Sequence, residues 1–131
     1  MICPGGAEHL GIFVEANVIP ERYRNHQHVF HSPVIFVPRL DREEIVRVAD
    51  DICRRLRHTS GRAVFMFPLR GVGRYSVSGG PLHDPESDAA FLAALRAGLP
   101  PSVELVEVDA EAEAPAFVAE AVRRLIGLVE A

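Results

Sequence analysis

The sequence has no lysine and only two cysteines among its 131 residues. A chain without lysine cannot carry the phosphate-binding loop that places one directly after its last glycine. Cys3 and Cys53 lack the spacing of metal ligands and are too few for a disulfide scaffold, so we expect both to be small core residues. No apolar run approaches the roughly 18 residues that span a bilayer, and no signal peptide is recognisable. We therefore expect a cytoplasmic protein with no membrane partner.

The chain also has no excess of basic charge. Fourteen basic residues stand against eighteen acidic ones, for a net charge of −4. This balance argues against nucleic acid as a partner. Hydrophobic residues make up 48% of the sequence, which excludes general disorder, and the length suits one domain with a real core. Residues 1–131 are therefore predicted to form a single domain.

The pattern of apolar residues alternates between strands and helices. Runs at 34–37, 63–67 and 103–108 have the composition of strands, and the intervening stretches 42–57 and 85–97, with a last one from Pro115, have helical spacing. Such alternation predicts a three-layer α/β fold with a mostly parallel, Rossmann-like sheet. Residues 10–14 fit a short helix or a strand, and 17–32 are expected to be irregular.

Several positions predict how the helices begin, end and pack. Asp41 and Asp84 have the type and position of N-caps, and Gly98 is expected just past the end of the second helix. The buried stripe of the last helix is predicted to comprise Phe117, Val118, Ala121, Val122, Leu125 and Val129.

The connection from Leu69 to His83 is the predicted ligand site. Most strand-to-helix loops need about two to six residues, so a loop of this length between a buried strand and a capped helix often binds something. Loops at the carboxyl ends of strands line the ligand crevice of open α/β sheets. Arginines offer forked donors and glycines let backbone N–H groups approach an anion. The candidate ligand contacts here are Arg70, Gly71, Arg74, Ser76, Ser78, Gly79 and Gly80.

Three histidines, His26, His28 and His31, raise the alternative of a metal site. On a strand His26 and His28 would share a face, and Glu21 or Asp84 could complete the set. The ordinary interpretation is an exposed segment that happens to carry histidines. Because no fourth ligand has a defined spacing, we predict no metal.

Short blocks distributed along the chain resemble a known family. They read PER at 20–22, HSP at 31–33, PLRG at 68–71, GGP at 79–81 and DPESD at 84–88. In order and spacing they resemble the C-terminal part of the Tm-one-like ATP-binding proteins, named for a tomato mosaic virus resistance protein. The resemblance therefore implies an uncharacterised family, largely of unknown biochemical function. The resemblance implies the C-terminal portion of a larger α/β domain, the second of two. It also implies ATP or another nucleotide bound together with elements absent from this chain.

The resemblance adds Gly5, Glu8, Arg22 and His31 to the candidate site residues. Two departures weaken the case for catalysis. The family's loop usually carries a serine and an aspartate where this chain has Gly73 and Ser76.

Three functions follow as hypotheses. The first is a binding module for a nucleotide or another small anionic molecule at the 69–83 loop. The second is an enzyme acting on a small acid or ester through Arg70, His31 and Glu8. The third is a structural domain for assembly, since a homo-oligomer or a partner chain could complete the sheet.

Overall fold

The computed structural model describes residues 1–130. It contains five strands, three helices and one short 3-10 turn at Glu21–Tyr23. In chain order the elements are β1 (Ile12–Phe13), β2 (His28–Ser32), β3 (Ile35–Pro38), α1 (Arg42–Leu56), β4 (Ala63–Pro68), α2 (Pro85–Gly98), β5 (Val103–Val108) and α3 (Pro115–Val129). No helix in this part of the chain is long and apolar enough to cross a membrane.

The parallel sheet is the centre of a three-layer arrangement. β4 pairs with β5 in parallel, from Ala63 opposite Val103 to Pro68 opposite Val108, and Ile2 forms a parallel bridge to Phe65 of β4. Because side chains alternate along a strand, β4 has two buried faces. One packs against α1 and α2 through Phe65 and Phe67. The other packs against α3. The predicted mixed α/β class is confirmed.

The prediction that residues 34–37 belong to the parallel sheet is wrong. β3 instead lies between β1 and β2 in a separate antiparallel sheet. Only Pro33 and Val34 separate β2 from β3, and so short a connection favours an antiparallel hairpin. The expectation of an irregular 17–32 is wrong for its second half, because the mixed polar and apolar residues of β2 suit a strand that is only partly buried. Of the two alternatives for 10–14, the structure has the strand.

Local signals at the helix termini are confirmed, with one exception. Asp41 and Glu44 form a complete capping box, and Asp84 accepts a hydrogen bond from the backbone of Ser87. Gly98 is the last residue of α2 and does not lie past its end. A Cβ at Gly98 would lie 2.9 Å from Sγ of Cys53, so this glycine allows α1 and α2 to pack closely.

The two cysteines differ in their surroundings. Cys53 is buried at the contact between the helices, as expected. The prediction that Cys3 is a core residue is wrong, because it is exposed.

The predicted stripe of α3 is only partly buried. Phe117 and Ala121 pack on β4, whereas four other members of the stripe are exposed: Val118, Val122, Leu125 and Val129. The helix is apolar over more than one face, and the period alone cannot decide which row meets the sheet. The prediction is therefore wrong for these four residues.

Candidate functional site

A crevice of about 460 Å³ opens where the long loop leaves the parallel sheet. β4 ends at Pro68, and α2 begins at Pro85 on the other side of the crevice. Its walls carry seven polar, charged or glycine residues that can meet a ligand: Arg70, Gly71, Ser76, Ser78, His83, Asp88 and Glu111. Four of these are among the residues predicted from the loop sequence. The crevice lies at the carboxyl end of a strand, where open α/β sheets bind ligands.

The loop that forms one wall is folded into consecutive tight turns. The amide of Gly80 donates to the carbonyl of Val77 at 2.8 Å, and the amide of Leu82 donates to that of Tyr75 at 2.9 Å. Gly71 has φ +129°, and a Cβ there would lie 3.0 Å from the backbone of Val77. Hydrogen bonds within its own backbone therefore hold the loop, and the glycines are needed in the first place for its shape.

Arg70 lies at the edge of the crevice, where Asp109 holds its guanidinium group. Its Nε donates to Oδ1 of Asp109 at 2.6 Å, and its Nη2 donates to Oδ2 at 2.9 Å. Asp109 directly follows β5, as Arg70 follows β4, so the pair joins the carboxyl ends of the two parallel strands. Both side chains are exposed. This bidentate geometry holds the guanidinium plane, and within residues 1–130 no other hydrogen bond occupies its remaining N–H groups, which can therefore meet a ligand.

Arg74 and Gly5 lie elsewhere. They line a neighbouring cavity of about 360 Å³, beside Tyr75. The guanidinium of Arg74 is exposed and lies 3.7 Å from Glu113. The structure therefore places the two predicted loop arginines in two different cavities, and the predicted contacts Gly79 and Gly80 line neither of them.

Glu8 is fully buried behind the loop. The hydroxyl of Ser76 donates to its Oε1 at 3.1 Å and accepts a hydrogen bond from the amide of Gly73 at 2.9 Å. Burial opposes ionisation of Glu8, but the imidazole of His9, whose Nδ1 lies 3.3 Å from Oε1, the backbone of Glu8 itself and the hydroxyl of Ser76 outweigh it and hold the pKa below the ordinary value. A buried carboxylate thus anchors the wall of the crevice through Ser76.

A buried ion pair that the sequence interpretation missed joins the loop to α2. Arg39 is 2% exposed; its Nη2 donates to Oδ1 of Asp88 at 2.7 Å, and its Nη1 donates to the carbonyl of Leu82 at 2.8 Å. Burial raises the pKa of Asp88, and the guanidinium offsets this only in part. The position of Arg39 in the sequence was the available signal, because Arg39 directly follows an apolar strand and Arg70 follows another after one intervening residue. It was overlooked because charged residues are rarely buried.

Two predicted site residues lie outside the crevice. Nη2 of Arg22 is 3.5 Å from Oε1 of Glu44 on α1. Nδ1 of His31 shares a hydrogen bond of 2.9 Å with the hydroxyl of Tyr75. Within residues 1–130, no hydrogen bond joins either side chain to Arg70.

The histidines do not come together as the metal alternative required. Instead His26 lies beside the N-terminus of α1, where it, Asp41 and Glu44 offer three ligand atoms within 4.8 Å of one another. Asp41 and Glu44 each accept a backbone hydrogen bond of the capping box. Their placement is thus explained by the helix terminus, and His26 adds a hydrogen bond of 3.1 Å to Glu44.

Asp84 is the N-cap of α2 at the rim of the crevice, and this role can be tested. Its Oδ1 accepts from the amide of Ser87 at 3.1 Å and its Oδ2 from the hydroxyl of Ser87 at 2.6 Å. Asp84→Ala is expected to lower the free energy of unfolding by about 0.5–2 kcal/mol, with Asp84→Asn restoring most of it. Urea denaturation measures this. If Asn were no better than Ala, the capping role would be refuted.

The same residue predicts a pH dependence. Burial raises the pKa of Asp84, but the hydrogen bonds of Ser87 and the charge of Arg39 outweigh it, so the pKa in the folded state is lowered. A lowered folded pKa contributes stability above the unfolded value of about 3.9, and this contribution is lost as the pH falls through the folded pKa. The advantage of wild type over Asp84→Asn should therefore shrink below about pH 4.

These features together define a mixed α/β domain with a crevice at the carboxyl edge of its parallel strands. Residues 1–129 match the sequence profile described as "Uncharacterised protein family (UPF0261) C-terminal domain". The chain belongs to this family. Membership of a family without known biochemical function is thereby confirmed, although the match does not include the Tm-one-like name.

The curated relatives support this assignment. Over 121 residues the chain is 30% identical to UPF0261 proteins of Brucella melitensis and Brucella suis, covering 92% of this chain and 29% of each relative. A UPF0261 protein of Mesorhizobium japonicum is 29% identical over 97 residues, covering 74% of this chain and 24% of the relative. The chain thus spans less than a third of the length of these relatives.

Proposed function

We propose that the crevice binds a small anionic molecule, with a nucleotide as the first candidate. The observation that supports this most is Arg70, which lies at the carboxyl end of β4 with its guanidinium held by Asp109. An arginine oriented in this way suits bidentate contact with phosphate or carboxylate. The resemblance to the Tm-one-like ATP-binding proteins supports a nucleotide as the ligand. The cytoplasmic location expected from the sequence is likewise a proposal.

A carboxylate of the crevice narrows the choice of ligand further. Glu111 lines the same cavity as Arg70, as does Asp88, but Asp88 is paired with Arg39. A bare anion would be repelled by Glu111, whereas Mg²⁺ held on a nucleotide's phosphates is attracted to a carboxylate. We therefore expect the ligand to bind as its magnesium complex. Because the relatives are more than three times longer than their match to this chain, further ligand contacts would come from their other regions.

The enzyme hypothesis has less support from the geometry. It needed Arg70, His31 and Glu8 to act together. Glu8 is fully buried behind Ser76, and His31 is hydrogen-bonded to Tyr75 and does not line the crevice. Within residues 1–130, no hydrogen bond links the three side chains to one another.

A matched pair of arginines tests the proposal. Arg70 and Arg96 are both exposed, and each forms a bidentate pair with a carboxylate, but only Arg70 lines the crevice. We expect Arg70→Ala to abolish binding of MgATP measured by calorimetry, and Arg96→Ala to retain the wild-type affinity. Neither change should move the melting temperature appreciably, because exposed ion pairs contribute little.

Equal affinity in wild type and Arg70→Ala would overturn the role of Arg70. Inorganic phosphate and citrate, titrated in the same way, distinguish a nucleotide site from a general anion site. Binding of MgATP that does not respond to removal of Mg²⁺ by EDTA would contradict the role assigned to Glu111.

A further inference from the structure

The structure contains a third cavity, of about 390 Å³, here called the Arg39 cavity. Six polar or charged residues contribute to its lining: Asn25, His26, Gln27, Arg39, Asp41 and Asp84. None of them lines the crevice at the 69–83 loop or the cavity beside Tyr75. A ligand of the Arg39 cavity is therefore independent of the function proposed for the crevice.

Arg39 brings an unsatisfied hydrogen-bond donor to this cavity. Its two Nη atoms donate to Asp88 and to the carbonyl of Leu82, but its Nε is buried and has no hydrogen-bond partner within residues 1–130. Oδ2 of Asp84 is 3.9 Å from this Nε, which is too far for a hydrogen bond. An N–H group that is buried without an acceptor costs free energy, and it costs more in a charged side chain. An acceptor placed in the cavity would remove this cost.

His26 brings an unsatisfied hydrogen-bond acceptor to the same cavity. Its Nε2 lies 3.1 Å from Oε2 of Glu44, and because a carboxylate only accepts hydrogen bonds, Nε2 carries the proton of the neutral imidazole. Nδ1 is then an acceptor, and it is also buried without a hydrogen-bond partner in the described part of the chain. Two residues of one cavity thus leave complementary groups unpaired, an N–H donor on Arg39 and a ring nitrogen on His26.

The charges around the cavity restrict the ligand to a neutral group. Asp41 and Asp84 contribute carboxylates, whereas the guanidinium of Arg39 is already paired with Asp88. The negative charge that remains repels a carboxylate or a phosphate. An ammonium or guanidinium group would be attracted, but it offers no acceptor to Nε of Arg39.

We infer that the Arg39 cavity binds a neutral molecule that presents a hydrogen-bond acceptor next to an N–H donor. The acceptor receives the Nε–H of Arg39, and the N–H group donates to Nδ1 of His26. A primary carboxamide carries both groups. The edge of adenine also carries them, with N7 as the acceptor and the N6 amino group as the donor.

Titration with two neutral probes, nicotinamide and adenosine, tests the inference. In proton–nitrogen correlation NMR spectra at probe concentrations up to about 10 mM, we expect saturable shifts of the Arg39 Nε–H signal and of the backbone amides of residues 25–27. Methyl nicotinate and purine riboside keep the acceptor but lack the N–H donor, so each should bind at least about tenfold more weakly than its parent probe. Shifts with nicotinamide alone would identify a carboxamide site, and shifts with adenosine alone would identify a nucleobase site.

A matched pair of histidine variants locates the binding. His26→Phe keeps a ring beside that of Tyr23, 5.2 Å away between centroids, but removes the Nδ1 acceptor, so it should weaken probe binding by about tenfold or more. His28→Phe is the control, because the ring of His28 packs on Phe30 and Phe36 and does not line the cavity. This variant should retain the wild-type affinity. Cooperative melting checks that both variants fold.

Three results would overturn the inference: no shifts with either probe, equal affinity for a probe and its analogue without the donor, or equal binding by wild type and His26→Phe. If His26→Phe did not fold, the comparison of probes with analogues would still decide. Arg70 does not line this cavity, so Arg70→Ala should bind the neutral probes as the wild type does. Failure of this inference is therefore distinct from failure of the function proposed for the crevice.

Discussion

Replacing Arg39 by methionine is expected to lower the free energy of unfolding by about 3–5 kcal/mol, the range for removing one partner of a buried ion pair. Arg39 is almost completely buried and donates to both Asp88 and the carbonyl of Leu82. Methionine fills a similar volume but leaves a carboxylate and a carbonyl oxygen without a donor. Urea denaturation at pH 7 measures the change.

A double substitution separates the loss of the pair from the loss of packing. In Arg39→Met with Asp88→Leu, no charge is left buried at this site, so part of the lost stability should return. Arg96→Ala serves as the exposed comparison and should unfold like the wild type. If Arg39→Met behaved like Arg96→Ala, the ion pair would have no structural importance.

This buried pair also explains why the sequence predicted the place of the site but not its construction. Caps such as Asp41 and Asp84 depend on residues three positions away, so the sequence reveals them directly. Whether Glu8 or Arg39 is buried depends on partners more than forty residues distant, which no local pattern encodes. The loop could therefore be recognised by its length and glycines, while the charges that anchor it could not.

The fold shows the same division between local and distant determinants. The parallel strands β4 and β5 were recognisable from their apolar residues, and their parallel pairing followed from the helix between them. β3 is equally apolar, yet it pairs with β2 across a two-residue connection. The pairing of β3 therefore depends on β2, and β2 was not recognised as a strand because it carries histidines. For α3, the composition predicted an apolar helix correctly but could not show that one of its apolar rows faces solvent.

Gly79 and Gly80 are adjacent in the loop. We expect Gly80→Ala to have the second large effect on stability, and Gly79→Ala provides the comparison. A Cβ at Gly80 would overlap the carbonyl oxygen of Tyr75 and lie 2.9 Å from that of Val77. These are backbone atoms and cannot rotate away, so Gly80→Ala must displace the turn. We expect a loss of about 1–3 kcal/mol of stability, the usual cost of overpacking, together with loss of ligand binding, because Ser76 and Ser78 move with the turn.

Gly79 requires glycine for a different reason. Its φ is +79°, but a Cβ there would meet open space. Gly79→Ala should therefore lower the free energy of unfolding only by the cost of placing alanine in the left-handed conformation, about 1–2 kcal/mol. It should leave the crevice intact. Gly61→Ala, with open space and no positive φ, should change little.

Hydrogen exchange gives the local measurement that separates these glycines. The amide of Leu82 donates to the carbonyl of Tyr75, the atom that a methyl group on Gly80 would displace. In Gly80→Ala, the protection of the Leu82 amide from exchange should fall by more than the loss of global stability explains. In Gly79→Ala, the protection of the same amide should change only as much as global stability does. Equal protection in the two variants would show that the turn tolerates the methyl group and that Gly80 is not needed for the shape of the crevice.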